Sequence, residues 1–216
     1  MDKSHDIWVI VGTRPECIKQ LPLYLALIQQ PSLSTSLVGT GQHKELLNDT
    51  IKTYGVSLDM SFETMKSGQS LPDLIISVMT GFQKLVIKKG KPGIVIVQGD
   101  TTTALAVSVA AFNLGIEIAH NEAGLRTYNL NNPFPEESNR KVISSLASIH
   151  FAPTKSSKTN LIKEGINKDI IHVVGNTGID SLFWALNKDC PQRIKGIINK
   201  LKEERFDFGL ITAHRR

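Results

Sequence analysis

Apolar residues in this chain fall into short unbroken runs separated by longer stretches of helical period. Ile7–Gly12 is apolar on both alternations, the pattern of a strand covered on both faces of a parallel sheet. Ile94–Gln98, Ile116–His120, Ser148–Pro153 and Ile170–Val174 read as strands too, and Leu37–Thr40 gives a shorter one. Helical spacing occupies the intervals. It runs from Ile18 to about Gln30 before Pro31, on to about Tyr54, through Leu74, Val78, Phe82 and Leu85, from Ala104 to Leu114, onward from Pro135, and from Thr154 to Gly165. Residues 56–65 read as a loop with one short strand. Strand and helix alternate with short joints, so the expected class is α/β, a Rossmann-like doubly wound parallel sheet. After Val174 the pattern gives a helix with Leu182, Phe183 and Leu186, a break at Pro191, and an amphipathic helix to about Glu204. A last strand, Phe208–Ala213, follows.

In an open parallel sheet, ligands bind beyond the carboxyl ends of the strands. Two strands here end on acids, at Asp100 and Glu122, and Glu136 and Arg140 lie four apart on the helix opened by Pro135. Acids and a guanidinium converging on one crevice suit proton transfer. Other readings stand beside this one. Asp100, ahead of three threonines, could help cap the next helix, and Glu136 with Arg140 could be a solvated pair. Glu122, beside Gly124, has the weakest structural explanation.

The first strand delivers Gly12 to Thr13-Arg-Pro-Glu16, a capping box in which Glu16 is the cap's own carboxylate. Such a helix start seats a phosphate or carboxylate. Capping leaves Arg14 and Lys19 unexplained. His43 reads as a polar contact at a helix start rather than a metal ligand, since no partner has ligand spacing. Lys88, Lys89 and Lys91 read as a charge array at a helix C-terminus.

Composition narrows the function classes. At 216 residues and 41% hydrophobic content the chain can bury a full core. Net charge is +5, and beyond residue 150 there are 12 Lys/Arg against 7 Asp/Glu, scattered singly and without interleaved aromatics. That argues against nucleic acid as a partner. Cys17 and Cys190 are far apart in sequence, the N-terminus is polar, and no apolar run has the length of a spanning helix. The expectation is a reduced cytoplasmic protein without a membrane partner, a bound metal or a cofactor.

Gly12-Thr-Arg-Pro-Glu16, Gly99-Asp-Thr-Thr-Thr103, Glu122-Ala-Gly-Leu-Arg-Thr127, Pro135-Glu-Glu-Ser-Asn-Arg140, Gly175-Asn-Thr177 and His214-Arg-Arg216 occur in this order. Together they closely resemble the bacterial non-hydrolysing UDP-N-acetylglucosamine 2-epimerases. The resemblance implies two Rossmann-like domains of the GT-B type. Residues 1–174 would form the first and carry the acids; 175–216 would supply linker helices and the first strand of a second, incomplete, nucleotide-binding domain. It also implies interconversion of UDP-GlcNAc and UDP-ManNAc by elimination of UDP and re-addition, for cell-surface polysaccharide. Asp100, Glu122, Glu136 and His214 match the family's catalytic positions, and Arg14, Lys19 and Arg140 its substrate contacts. Gln42, His43 and Gln69 match positions that hold a second UDP-GlcNAc as activator, and a homodimer is implied. Asn121 and Gly178 stand where relatives usually carry an apolar residue, and are expected to lie clear of the chemistry. The alternatives are a hydrolysing epimerase, a glycosyltransferase of the same fold, or an inactive fragment with a binding or dimer surface. Pro15 and Glu16 favour the non-hydrolysing reading.

Overall fold

The computed structural model describes residues 6–41, 44–64, 68–204, 206, 207, 209 and 211. Gln42, His43 and His214, and most of the strand expected at Phe208–Ala213, lie outside the described residues.

Seven strands form one parallel sheet in the order β3-β2-β1-β4-β5-β6-β7. They are β1 (Asp6–Val11), β2 (Ser34–Gly39), β3 (Met60–Ser61), β4 (Ile94–Gln98), β5 (Glu117–Asn121), β6 (Ile149–Ala152) and β7 (Ile171–Val173). The crossovers carry α1 (Arg14–Leu27), α2 (Lys44–Thr53), α3 (Leu71–Lys89), α4 (Thr102–Asn113), α5 (Glu136–Leu146) and α6 (Lys155–Lys163); α7 (Thr177–Leu186) and α8 (Gln192–Glu203) follow. The doubly wound expectation holds.

The unbroken apolar runs have their cause in the layers. Trp8 and Ile10 of β1 join Val95, Val97 and Ile118 in a core beneath α3, α4 and α5. Ile7, Val9 and Val11, on the other alternation, pack with Leu37, Cys17 and Leu21 beneath α1 and α2. A strand buried on both faces favours apolar side chains on both alternations. Local signals set most helix ends. Thr13 and Glu16 form the expected capping box on α1, and Ser70 and Asp73 form another on α3. Helix α1 stops at Leu27, short of Gln30. Helix α4 starts earlier than its apolar period suggests, because Thr101 caps it through Ala104 N.

The sheet turns in opposite directions from β1 and from β4, so these neighbours mark its topological switch point, where crossovers leave a crevice. Their pairing brings Ile7 opposite Ile94 and Val9 opposite Ile96. The loops after Val11 and Gln98 therefore emerge side by side.

The chain divides into two compact units, Met1–Ser181 and Leu182–Arg216. The first runs past the expected boundary at Val174 because the chain after β7 is bonded back onto it. Asn121 Nδ2 donates to Thr177 Oγ1 at 3.3 Å, and Ser181 Oγ donates to Ile18 O. In the second unit, Ile194 and Ile197 of α8 are exposed, and Lys188 lies 4.7 Å over the Trp184 ring.

Candidate active site

A hollow of about 580 Å³ opens at the switch point, lined by Thr13, Arg14, Pro15, Glu16, Lys19, Gln98, Asp100, Thr101 and Glu122. Glu16 is its buried wall, 1% exposed. One carboxylate oxygen accepts from Gly12 N at 3.1 Å and Thr13 N at 2.6 Å, and the other accepts from Thr101 Oγ1 at 2.7 Å. Glu16 is therefore the cap read from sequence and also a bolt between the β1 and β4 loops. Burial pushes its carboxyl up from the ordinary value, against the bonds from Thr101, Thr13 and Gly12. Arg14 is exposed at the mouth and makes no hydrogen bond among the described residues.

Glu122 follows β5 with φ 65°, a left-handed backbone uncommon outside glycine. That turn aims its carboxylate into the hollow, where donors from three elements hold it. Lys19 Nζ reaches both oxygens at 2.7 and 2.6 Å, Gln98 Nε2 reaches one at 2.5 Å, and Asn176 Nδ2 reaches the other at 3.1 Å. The Lys19–Glu122 pair is 30% and 12% exposed, so it is shielded well beyond a surface ion pair.

Asp100 does not cap α4; Thr101 does. Its Oδ2 accepts from Arg140 Nη2. Burial pushes the Asp100 carboxyl up, the Arg140 guanidinium pulls it down, and the charges of Glu122 and Glu136 push it up again. The backbone of its turn is also fixed. Gly99, at φ 68°, donates to Asn121 O at 2.9 Å and accepts from His120 Nε2 at 2.7 Å, while Asn139 Nδ2 donates to Asp100 O at 2.8 Å.

The alternative reading of Glu136 and Arg140 as a solvated pair is not met, since no bond joins them among the described residues. Arg140 Nη1 donates instead to Glu137, 3.1 Å away and fully buried, leaving Glu136 Oε2 buried without a partner among the described residues. Burial opposes charge on Glu137, yet the Thr127 and Tyr128 N–H groups and Arg140 outweigh it and hold its carboxyl below the ordinary value. Glu136 reaches Asp100 through the electrostatic field and does not line the hollow.

The profile of a family described as UDP-N-acetylglucosamine 2-epimerase matches residues 25–216. The chain belongs to the UDP-N-acetylglucosamine 2-epimerase family. The UDP-N-acetylglucosamine 2-epimerase of Campylobacter jejuni is 43% identical over 217 residues, 97% of this chain and 56% of the relative. The crystal structure of the Neisseria meningitidis UDP-GlcNAc 2-epimerase bound to UDP-GlcNAc superposes with a TM-score of 0.83 at 39% identity. It covers 92% of this chain and 53% of that one. The Methanocaldococcus jannaschii UDP-GlcNAc 2-epimerase, in complex with UDP-GlcNAc and UDP, superposes at TM-score 0.80 and 31% identity, covering 91% and 54%. The chain thus spans about half the length of the curated relatives it matches.

Within this member of the epimerase family, Arg14, Lys19, Asp100 and Glu122 share one hollow and Arg140 grips Asp100 from behind. Gln69 stands apart, donating from Nε2 to Ser77 Oγ at 2.8 Å. Sequence reasoning passed over Gln98, Glu137, Asn139 and Asn176. Glu137 was adjacent to a chosen residue, and nothing local separates it from Glu136 except the face of α5 that turns inward. Gly178 N–H donates to Asn176 Oδ1 at 2.8 Å and Asn121 ties β5 to Gln20 and Thr177, and neither residue lines the hollow.

Proposed function

We propose that this chain carries the acid–base and diphosphate-facing part of a non-hydrolysing, cytoplasmic UDP-N-acetylglucosamine 2-epimerase that interconverts UDP-GlcNAc and UDP-ManNAc for surface polysaccharide. One observation carries the reading. A single hollow at the switch point sets two cations, Arg14 and Lys19, beside two carboxylates, Asp100 and Glu122.

The reaction needs both kinds of group. Removing the C2 proton leaves its electron pair to form the C1=C2 bond of 2-acetamidoglucal, while UDP departs with the pair of the C1–oxygen bond. Re-addition returns a proton to the opposite face of C2, so two acids are required. Asp100 suits the first transfer. Its Oδ2 is held by Arg140, its Oδ1 makes no hydrogen bond among the described residues, and burial makes it a stronger base than an ordinary aspartate. Glu122 is immobilised by Lys19, Gln98 and Asn176, and serves the second face while keeping the Lys19 ammonium at the hollow. Arg14 and Lys19 receive the departing diphosphate charge. Glu136 tunes Asp100 through its charge, and His214 is assigned to catalysis from the family motif. Gln42, His43 and Gln69 are assigned to an activating second UDP-GlcNAc on the same ground. A homodimer is proposed through α3 and α4, where Ile76, Ile87 and Phe112 are exposed.

The test is incubation of the full-length protein with UDP-GlcNAc in deuterated water. UDP-ManNAc carrying deuterium at C2 is expected. Free ManNAc with stoichiometric UDP would establish a hydrolysing enzyme instead, and substrate recovered without exchange would refute epimerisation.

A further inference from the structure

The Gly175-Asn-Thr177 motif carries no assigned role in the sequence, yet the structure leads it directly to the carboxylate of Glu122. We propose that Asn176 is a positioning residue for Glu122, a fixed donor that sets the carboxylate's angle in the hollow. The role of Glu122 rests on the proposed function; the contact itself does not.

Three features make this more than a passing contact. First, the amide has a defined orientation. Gly178 N–H, 2.8 Å from Asn176 Oδ1, can bond only to the oxygen, so the Nδ2 group is turned to Glu122 Oε1 at 3.1 Å. A residue with a side chain at 178 would bring its Cβ to 3.0 Å from that Oδ1, so Gly178 leaves the amide its room. Second, the neighbouring residues pin the segment. Asn121 Nδ2 donates to Thr177 Oγ1, and Ser181 Oγ donates to Ile18 O on the helix that carries Lys19. Asn176 is therefore braced against the same two elements, β5 and α1, that present Glu122 and Lys19. Third, the donors on Glu122 divide the work. Gln98 engages Oε2 and Asn176 engages Oε1, while Lys19 bridges both. Lys19 alone leaves the carboxylate free to rotate about its bridging ammonium. The two amides, one on each oxygen, remove that rotation and fix where the carboxylate oxygens stand in the hollow.

Asn176 does not line the hollow, so its loss should act on turnover and leave substrate affinity nearly intact. In the full-length enzyme, Asn176→Ala is expected to lower kcat by roughly tenfold to a hundredfold with KM changed less than about twofold. Asn176→Asp is the discriminating variant. Ionised, it places a second negative charge against Glu122 and cannot donate; protonated, it donates again. Its kcat should therefore climb relative to Asn176→Ala as pH is lowered, with Lys19 and Glu122 the charged groups facing it. Wild-type kcat in Asn176→Ala, or parallel pH profiles for the two variants, would overturn the assignment. A readout independent of turnover is available on the 216-residue chain. In nitrogen-15 spectra one Asn176 side-chain amide proton should lie downfield, and should move upfield in Glu122→Leu. Identical signals in the two proteins would overturn the proposal even if the enzyme proved to catalyse a different reaction.

Discussion

Replacing Glu16 by alanine should destabilise the first compact unit by about 3 kcal/mol. Glu16 closes the capping box of α1 by accepting from Thr13 N, while the other half of the box, Glu16 N to Thr13 Oγ1, survives in alanine. The same carboxylate accepts from Gly12 N and Thr13 N; stranding two N–H donors costs about 1–3 kcal/mol each when dry, and the low end applies here because the hollow admits water. The bond from Thr101 Oγ1, which holds the β4 loop against the β1 loop, is lost as well, at about 1 kcal/mol. Glutamine behaves differently. Its carbonyl can accept from the two N–H groups and its NH2 can donate to Thr101, so Glu16→Gln should stay within about 1 kcal/mol of wild type. Urea denaturation of the 216-residue chain, followed by circular dichroism, measures both. For a unit of this size 3 kcal/mol corresponds to roughly 6–12 °C in Tm. An alanine variant within 1 kcal/mol of wild type, or a glutamine variant as unstable as alanine, would refute the account of Glu16 as a bolt between two loops.

Asp100→Asn and Glu122→Gln in the full-length protein should each reduce kcat by about a hundredfold or more with the fold intact; near-normal turnover in both would remove the acids from the mechanism. Arg14→Ala should weaken UDP binding, most at low salt where its exposed charge is least screened, and calorimetric titration at two ionic strengths reads this. Ending the chain at Gly175 should cost about 2–4 kcal/mol, because it removes the bonds of Asn176, Thr177 and Ser181 to the first unit; equal stability by denaturation would contradict that. Burial pushes His120 down to about 3 and His150 down to about 4, so both are neutral in the fold and take up protons on unfolding below 6.5. Stability from each is present above 6.5 and lost as pH falls toward those values. The raised carboxyls of Glu16 and Asp100 act in the opposite sense, so the comparison is made against a variant. His150→Phe should flatten the pH dependence by about 1.4 kcal/mol per pH unit between about 6.5 and 4. An unchanged slope would mean that His150 is not held neutral.

The sequence by itself determined the class of the fold, because strands buried on both faces and capped helices leave signatures within a few residues of one another. Thr13 with Glu16 and the runs at Ile7 and Ile94 are of this kind. It also placed Asp100 and Glu122 at strand ends, which was enough to point to the carboxyl edge. Tertiary structure decided the partners. Lys19 meets Glu122 across 103 positions and Arg140 meets Asp100 across 40, and neither pairing follows from period or capping. They depend on the strand order, which sets β1 beside β4 and β4 beside β5 and so brings their loops together. The same order brings Asn176 back from beyond β7 to β5. On α5 the local pattern put Glu136 and Arg140 on one face, but it is Glu137 that the helix turns into the interior, where two backbone N–H groups and Arg140 meet its carboxylate. Local chemistry fixes which residues can be acids, caps or cations. Only the assembled sheet fixes which of them share a hollow, since that depends on distances across strands that neighbouring residues do not encode.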